Sequence, residues 1–97
     1  MQSVKVHLNV ADNGKDAFLL GYPMHLTPTE LRILCYIADH GCADADTLLA
    51  HCYEKREANV ANVSVRISAI NHKAAAIGGR RLIQFVYGRG YKFCDDI

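Results

Sequence analysis

Residues 62–93 read NVSVRISAINHKAAAIGGRRLIQFVYGRGYKF, and this stretch decides the fold. Within it, Val63, Ile67, Ile70, Ala74 and Ile77 recur at steps of four and three, which puts them on one stripe of a 3.6-residue helix. The opposite face carries Ala61, Ser64, Val65, Ser68, Ala69, His72, Ala75 and Ala76, of which only His72 is large. Arg66 and Lys73 sit at the edge of the apolar stripe and Asn71 on its other shoulder. Gly78-Gly79 is a helix stop. Residues 82–86 and 91–93 then read as the strands of a hairpin joined around Gly88-Arg89-Gly90. A helix with a slim outer face, followed by a hairpin with a basic tip, has the shape of something that enters a groove.

Upstream, Leu26-Thr27-Pro28-Thr29-Glu30-Leu31 carries several helix-start signals at once. Thr27 is the N-cap, Pro28 takes the first helical position, Glu30 completes a capping box, and Leu26 with Leu31 can form a hydrophobic staple. This helix is expected to run to about His40, to bury Leu31, Leu34, Cys35 and Ala38, and to stop at Gly41. Asp44 caps a second, shorter helix containing Leu48, Leu49 and Cys52. The polar residues 54–57 connect it to the third. Before the helices, Val4, Val6, Leu8 and Val10 alternate with polar residues as one half-buried strand. Turns are expected at 12–15 and 21–23, with strands at 17–20 and 24–26. The pattern predicts an α+β domain over 1–97: an N-terminal antiparallel sheet (1–26), three helices (27–77) and a hairpin (80–94).

At 97 residues, half of them hydrophobic, the chain can bury a core without staples. It has no apolar run of transmembrane length and no signal-peptide layout, so a cytoplasmic protein without a membrane partner is expected. Charge is polarised. Residues 1–53 hold three Lys/Arg against six Asp/Glu, and residues 54–97 hold eight against four. The second half can therefore offer a basic face to a polyanion, although the same charges also serve simply as a solvated surface. Cys35, Cys42, Cys52 and Cys94 form no C-x-x-C pair and read as reduced thiols, with Cys35 in the core. His40, Cys42, His51 and Cys52 match no zinc spacing. Nucleophile elbow, metal-ligand pattern and phosphate loop are all missing, so neither an enzyme nor a cofactor is expected.

These residues closely resemble the winged-helix effector domain of OmpR/PhoB-type response regulators. The resemblance covers essentially the whole chain and rests on three blocks in order: Leu26-Thr-Pro-Thr-Glu-Leu31, Val63-Ser-Val-Arg-Ile-Ser68 and Gly88-Arg-Gly-Tyr-Lys-Phe93. It implies a winged helix-turn-helix with a four-stranded N-terminal sheet and a C-terminal hairpin, the wing. It also implies a third helix in the DNA major groove, a wing at the adjacent minor groove, RNA polymerase at the loop 53–59, and paired copies on direct repeats. The chain departs from the pattern in two places. Ser68-Ala-Ile-Asn-His-Lys73 stands where the family has several arginines or lysines, and Tyr87 takes the place of the wing arginine, with Arg89 two residues later.

The expected DNA-facing residues are Asn62, Ser64, Val65, Arg66, Ser68, Ala69, Asn71, His72, Lys73, Tyr87, Arg89 and Tyr91. Arg66 suits a phosphate, or else covers the apolar stripe with its stem. Val65 and Ala69 offer methyl groups to thymine but cannot give a bidentate guanine contact, and an outward valine equally suits a protein interface. Asn71 and His72 offer hydrogen bonds to base edges or phosphates. Arg89 suits a narrow minor groove. Tyr91 donates to a phosphate or packs at the hairpin base. Two functions therefore stand against each other: a sequence-specific reader of double-stranded DNA, and a winged-helix protein–protein module derived from one.

Overall fold

The computed structural model describes residues 2–5, 8–11, 14–53, 59–78 and 80–94. The elements run β1 (Gln2–Lys5), β2 (Leu8–Val10), β3 (Ala17–Leu19), β4 (Tyr22–Pro23), α1 (Pro28–His40), β5 (Cys42–Ala43), α2 (Ala45–Cys52), α3 (Val60–Gly78), β6 (Ile83–Val86) and β7 (Gly90–Phe93). This is the expected α+β winged helix. A four-stranded antiparallel sheet in the order β1-β2-β3-β4 precedes three helices, and a second sheet in the order β5-β7-β6 contains the C-terminal hairpin.

The start of α1 follows its local sequence. The Thr27 side chain accepts from the Glu30 N–H, the Glu30 carboxylate accepts from the Thr27 N–H, Pro28 opens the helix, and Gly41 ends it at φ 83°. Asp44 caps α2 by accepting from the Thr47 N–H at 2.8 Å. On α3, Val63, Ile67, Ile70 and Ala74 are buried and Ile77 is half-buried, as the spacing requires. They pack with Ile33, Leu34 and Ile37 of α1, Leu48 of α2, and Leu82, Ile83 and Phe93 of the hairpin in one core. Ile33 and Ile37, not expected in that core, belong to it, whereas Cys35 is only half-buried.

The N-terminal sheet departs from expectation. The alternation from Val4 to Val10 is two strands, with Lys5 paired to Leu8 across a reversal. Period-2 alternation runs on from one strand into the next, so the pattern alone does not separate them. Tyr22 and Pro23 form β4 instead of a turn. The reversal before them is the two-residue loop Leu20-Gly21, both at positive φ (53° and 84°), a left-handed position that leucine rarely takes. Pro23 is tolerated because β4 is the sheet edge. Residues 24–26, expected as a strand, are not one: the Met24 N–H still donates to the Ala17 carbonyl at 2.9 Å, and Asp16 then takes over, its carboxylate accepting from the His25 and Leu26 N–H groups at 3.0 Å each. The strand β5 was also not expected, because two residues carry no periodicity.

At the hairpin, Gly90 meets the start of α2. A Cβ there would lie 2.5 Å from the Asp44 Cα and 2.6 Å from the Ala43 carbonyl oxygen, and its φ is +92°. Gly90→Ala is expected to destabilise the fold by about 2 kcal/mol or more, through clash and backbone strain together. Urea unfolding checks this, and a wild-type midpoint would contradict the close packing of hairpin and α2.

Candidate nucleic-acid interface

The outward face of α3 exposes Ala61, Ser64, Val65, Ser68, His72, Ala75 and Ala76, with Ala69 half-buried among them. It carries no acidic group. Val65 is 64% exposed, and with Tyr53, Asn62 and Arg66 it lines an open hollow of about 230 Å³ at the start of the helix. The Tyr53 hydroxyl donates to the Asn62 carbonyl at 3.1 Å and ties the end of α2 to the first turn of α3.

At the wing, the Arg89 N–H donates to the Val86 carbonyl at 3.0 Å. Gly88 at φ 82° takes the third position of this turn, where a type II geometry demands positive φ. The loop Tyr87-Gly88-Arg89 thus presents two exposed side chains, Tyr87 and Arg89. Tyr91 is half-buried and packs edge-on against Phe85, with ring centroids 5.5 Å apart.

Three of the expected contact residues instead engage their own protein. The Asn71 carboxamide accepts from the Leu82 and Ile83 N–H groups at 3.0 and 2.9 Å, and donates to the Ile83 carbonyl at 2.8 Å. The Lys73 ammonium donates to Glu30 Oε1 at 2.6 Å and to the His25 carbonyl at 3.0 Å. Arg66 lies 3.5 Å from Glu30 Oε2, with its side chain 44% exposed. Arg66 and Lys73 are seven residues apart, two helical turns, so both reach the same carboxylate on α1. From the sequence, Glu30 reads as a cap residue alone. Its burial to 2% exposure had one available sign, a carboxylate in an apolar first turn opposite two cations on one helix face.

Burial by itself raises the pKa of the Glu30 carboxyl. The Lys73 hydrogen bond, the Thr27 N–H and the charges of Lys73 and Arg66 outweigh it, and the net shift is downward from the ordinary 4.5. Among the described residues, no group of three or more His, Cys, Asp or Glu is placed to hold a metal. His40 and His51 flank the Tyr36 ring, at centroid distances of 4.0 and 5.2 Å. Burial pushes the Cys35 thiol up, aided by Asp39, and pushes Cys52 up against the opposing charge of Arg32. Both thiols therefore stay protonated and sluggish near neutral pH. The polar connector expected at 54–57 lies outside the described residues, as does Gly79.

No family model matches the chain. The two-component response regulator PhoP of Pseudomonas aeruginosa is 34% identical over 88 residues, which is 86% of this chain and 38% of the relative. The chain therefore spans well under half the length of that relative. Among solved structures, the DNA-binding domain of the response regulator AdeR, in complex with an intercistronic region, superposes at a TM-score of 0.80 with 20% identity, covering 92% of this chain and 95% of that one. DrrB, an OmpR/PhoB homolog from Thermotoga maritima, superposes at 0.62 with 22% identity, over 90% of this chain and 41% of its own. By fold, the chain is a winged helix of the OmpR/PhoB type. Its sequence is similar to the corresponding part of a response regulator.

Two stability predictions follow from the inward-facing groups. A carboxyl with a lowered folded-state pKa stabilises the fold above its unfolded value and loses that contribution as pH falls through the folded one. Wild-type stability should therefore decline as pH drops below about 4.5. Glu30→Gln should unfold more easily at neutral pH, by about 1–3 kcal/mol as for a charged hydrogen bond, with a flatter acid limb. Denaturant midpoints across pH check this; an unchanged acid limb would remove Glu30 as its source. Separately, Asn71→Ala leaves three backbone groups at the fully buried Leu82 and Ile83 without their partner. A loss of at least about 2 kcal/mol is expected, and amide exchange at residues 82 and 83 should quicken first.

Proposed function

We propose that the chain is a non-enzymatic, sequence-specific binder of double-stranded DNA that serves a transcription regulator, with α3 in the major groove and the wing at the adjacent minor groove. The observation that carries this is the charge of residues 59–94. They contain Arg66, Lys73, Arg80, Arg81, Arg89 and Lys92 and not one Asp or Glu. This acid-free segment is the one that forms the exposed small-residue face of α3 and the protruding wing. An α-helix with short side chains fits a major groove about 12 Å wide, and a surface without carboxylates does not repel phosphate. On this reading Val65 and Ala69 meet thymine methyls, while Ser64, Ser68 and His72 supply hydrogen bonds. Asn62 lies at the leading turn and Tyr91 supports the wing from its base. Arg66 shares its charge between Glu30 and a phosphate. Asn71 and Lys73 position the helix and do not read bases. Pairing of two copies on repeated half-sites and contact of the 53–59 loop with RNA polymerase are further parts of the proposal, as is a cytoplasmic location. Among the described residues, no helix is long and apolar enough to cross a membrane. The similar AdeR domain, solved in complex with an intercistronic region, supports the same reading.

A second reading, a protein-binding derivative of the fold, is favoured by one observation: Val60, Val65, Phe85 and Tyr87 are exposed to 53%, 64%, 64% and 95%. Duplex binding measured across salt concentrations separates the two. DNA binding should show a log–log slope of several negative units, and Arg89→Ala should make it shallower by about 0.9 while weakening affinity. Arg66→Ala should change the slope similarly if the guanidinium reaches phosphate, and not at all if it serves Glu30 alone. A flat wild-type slope, or no binding at low salt, would leave the protein-binding reading standing.

A further inference from the structure

Tyr87 stands at the tip of the wing with 95% of its surface exposed. The register explains how an aromatic comes to be there. Ile83 pairs with Phe93 and Phe85 with Tyr91, so these four side chains share one face of the ribbon. Ile83 and Phe93 are buried in the core, Tyr91 is half-buried and Phe85 is exposed. The apolar face thus runs out of the core towards the tip, and Tyr87 lies two residues beyond Phe85. Its backbone is fixed by the Arg89-to-Val86 hydrogen bond and by Gly88 and Gly90 at positive φ. A ring held out on a rigid turn loses little conformational freedom when it meets a partner. Its surroundings select that partner. The wing segment 80–94 contains Arg80, Arg81, Arg89 and Lys92 and no carboxylate, which complements a polyanion.

We propose that Tyr87 is a specificity-determining wedge that enters the minor groove and partly unstacks a base step there. This rests on the DNA reading above. A minor groove about 6 Å wide admits a single ring edge-on, and apolar side chains inserted there unstack and kink the duplex. Pyrimidine–purine steps unstack most easily, so the ring favours sites that place such a step under the wing. Arg89, two residues away, supplies the charge that holds the tip against the phosphates.

The test uses the full chain and a short duplex enriched by it from a random pool, with 2-aminopurine placed at each pyrimidine–purine step in turn. Wild-type protein should raise the fluorescence at one step, reporting unstacking. Tyr87→Ala should abolish that rise and weaken binding by about tenfold or more, as for loss of a base–aromatic contact, with an unchanged salt slope. Tyr87→Phe should keep both affinity and signal. Because Tyr87 is exposed, Tyr87→Ala should unfold at the wild-type temperature, which separates a contact effect from a folding one. Wild-type binding that Tyr87→Ala leaves intact, or a loss confined to the salt slope, would overturn the wedge while the DNA reading stands. If no duplex is enriched or bound at low salt, both the DNA reading and the wedge fail.

Discussion

The buried carboxylate of Glu30 is the constraint on which the presentation of α3 depends. It caps the first turn of α1 through the Thr27 N–H at 3.1 Å and accepts from Lys73 at 2.6 Å, with Arg66 alongside at 3.5 Å. A carboxylate that is 2% exposed loses most of its hydration, and that loss is tolerable only where several donors replace water. Those donors come from two helices, so the ion cluster ties α3 to α1. The buried stripe Val63, Ile67, Ile70 and Ala74 sets how α3 lies in the core, and the contacts of residues 66 and 73 with a single carboxylate add to that fit. The side of α3 that faces away is set by the same fit, and it is the small-residue face.

A second fastening couples α3 to the wing. Asn71 bonds the backbone at residues 82 and 83, just before and at the start of β6. Gly90 lets β7 lie against the start of α2. Helix and hairpin base are therefore fastened to each other, and a ligand that needs both elements meets them already placed. Preorganisation of this kind lowers the entropy lost on binding.

What the sequence reveals follows from how far apart the interacting residues are. The capping box, the Asp44 cap, the stripe on α3 and the wing turn are interactions within a few residues, and each was legible. The split of β1 from β2, the two-residue strand β5 and the turn at Leu20-Gly21 were not, because alternation survives a reversal and short strands have no period. The roles of Asn71 and Lys73 were hidden for another reason. Helical spacing says which shoulder a residue occupies but not whether a partner waits there, and Glu30 lies 43 residues from Lys73. The contact set expected from the face alone therefore mixed outward residues with inward-bonded ones.

The inward bonds change the electrostatics on which DNA binding by this fold would rest. Of the six cations in residues 59–94, Lys73 lies against Glu30 and Arg66 is shared with it. Each cation held by its own protein instead of a phosphate makes the salt slope shallower by roughly 0.9 and weakens non-specific association. Low non-specific affinity is no handicap to discrimination, since what matters on a genome is the ratio of specific to non-specific binding. On the proposed reading that ratio draws on terms that carry no net charge: thymine methyls against Val65 and Ala69, hydrogen bonds from serine and histidine, and the deformability of a base step. Each is small beside a bidentate arginine–guanine pair. On the proposed reading, two copies on adjacent sites would each raise the effective concentration of the other. If the proposed reading holds, the scarcity of arginine on α3 shifts discrimination from bidentate guanine pairs to uncharged contacts and duplex shape.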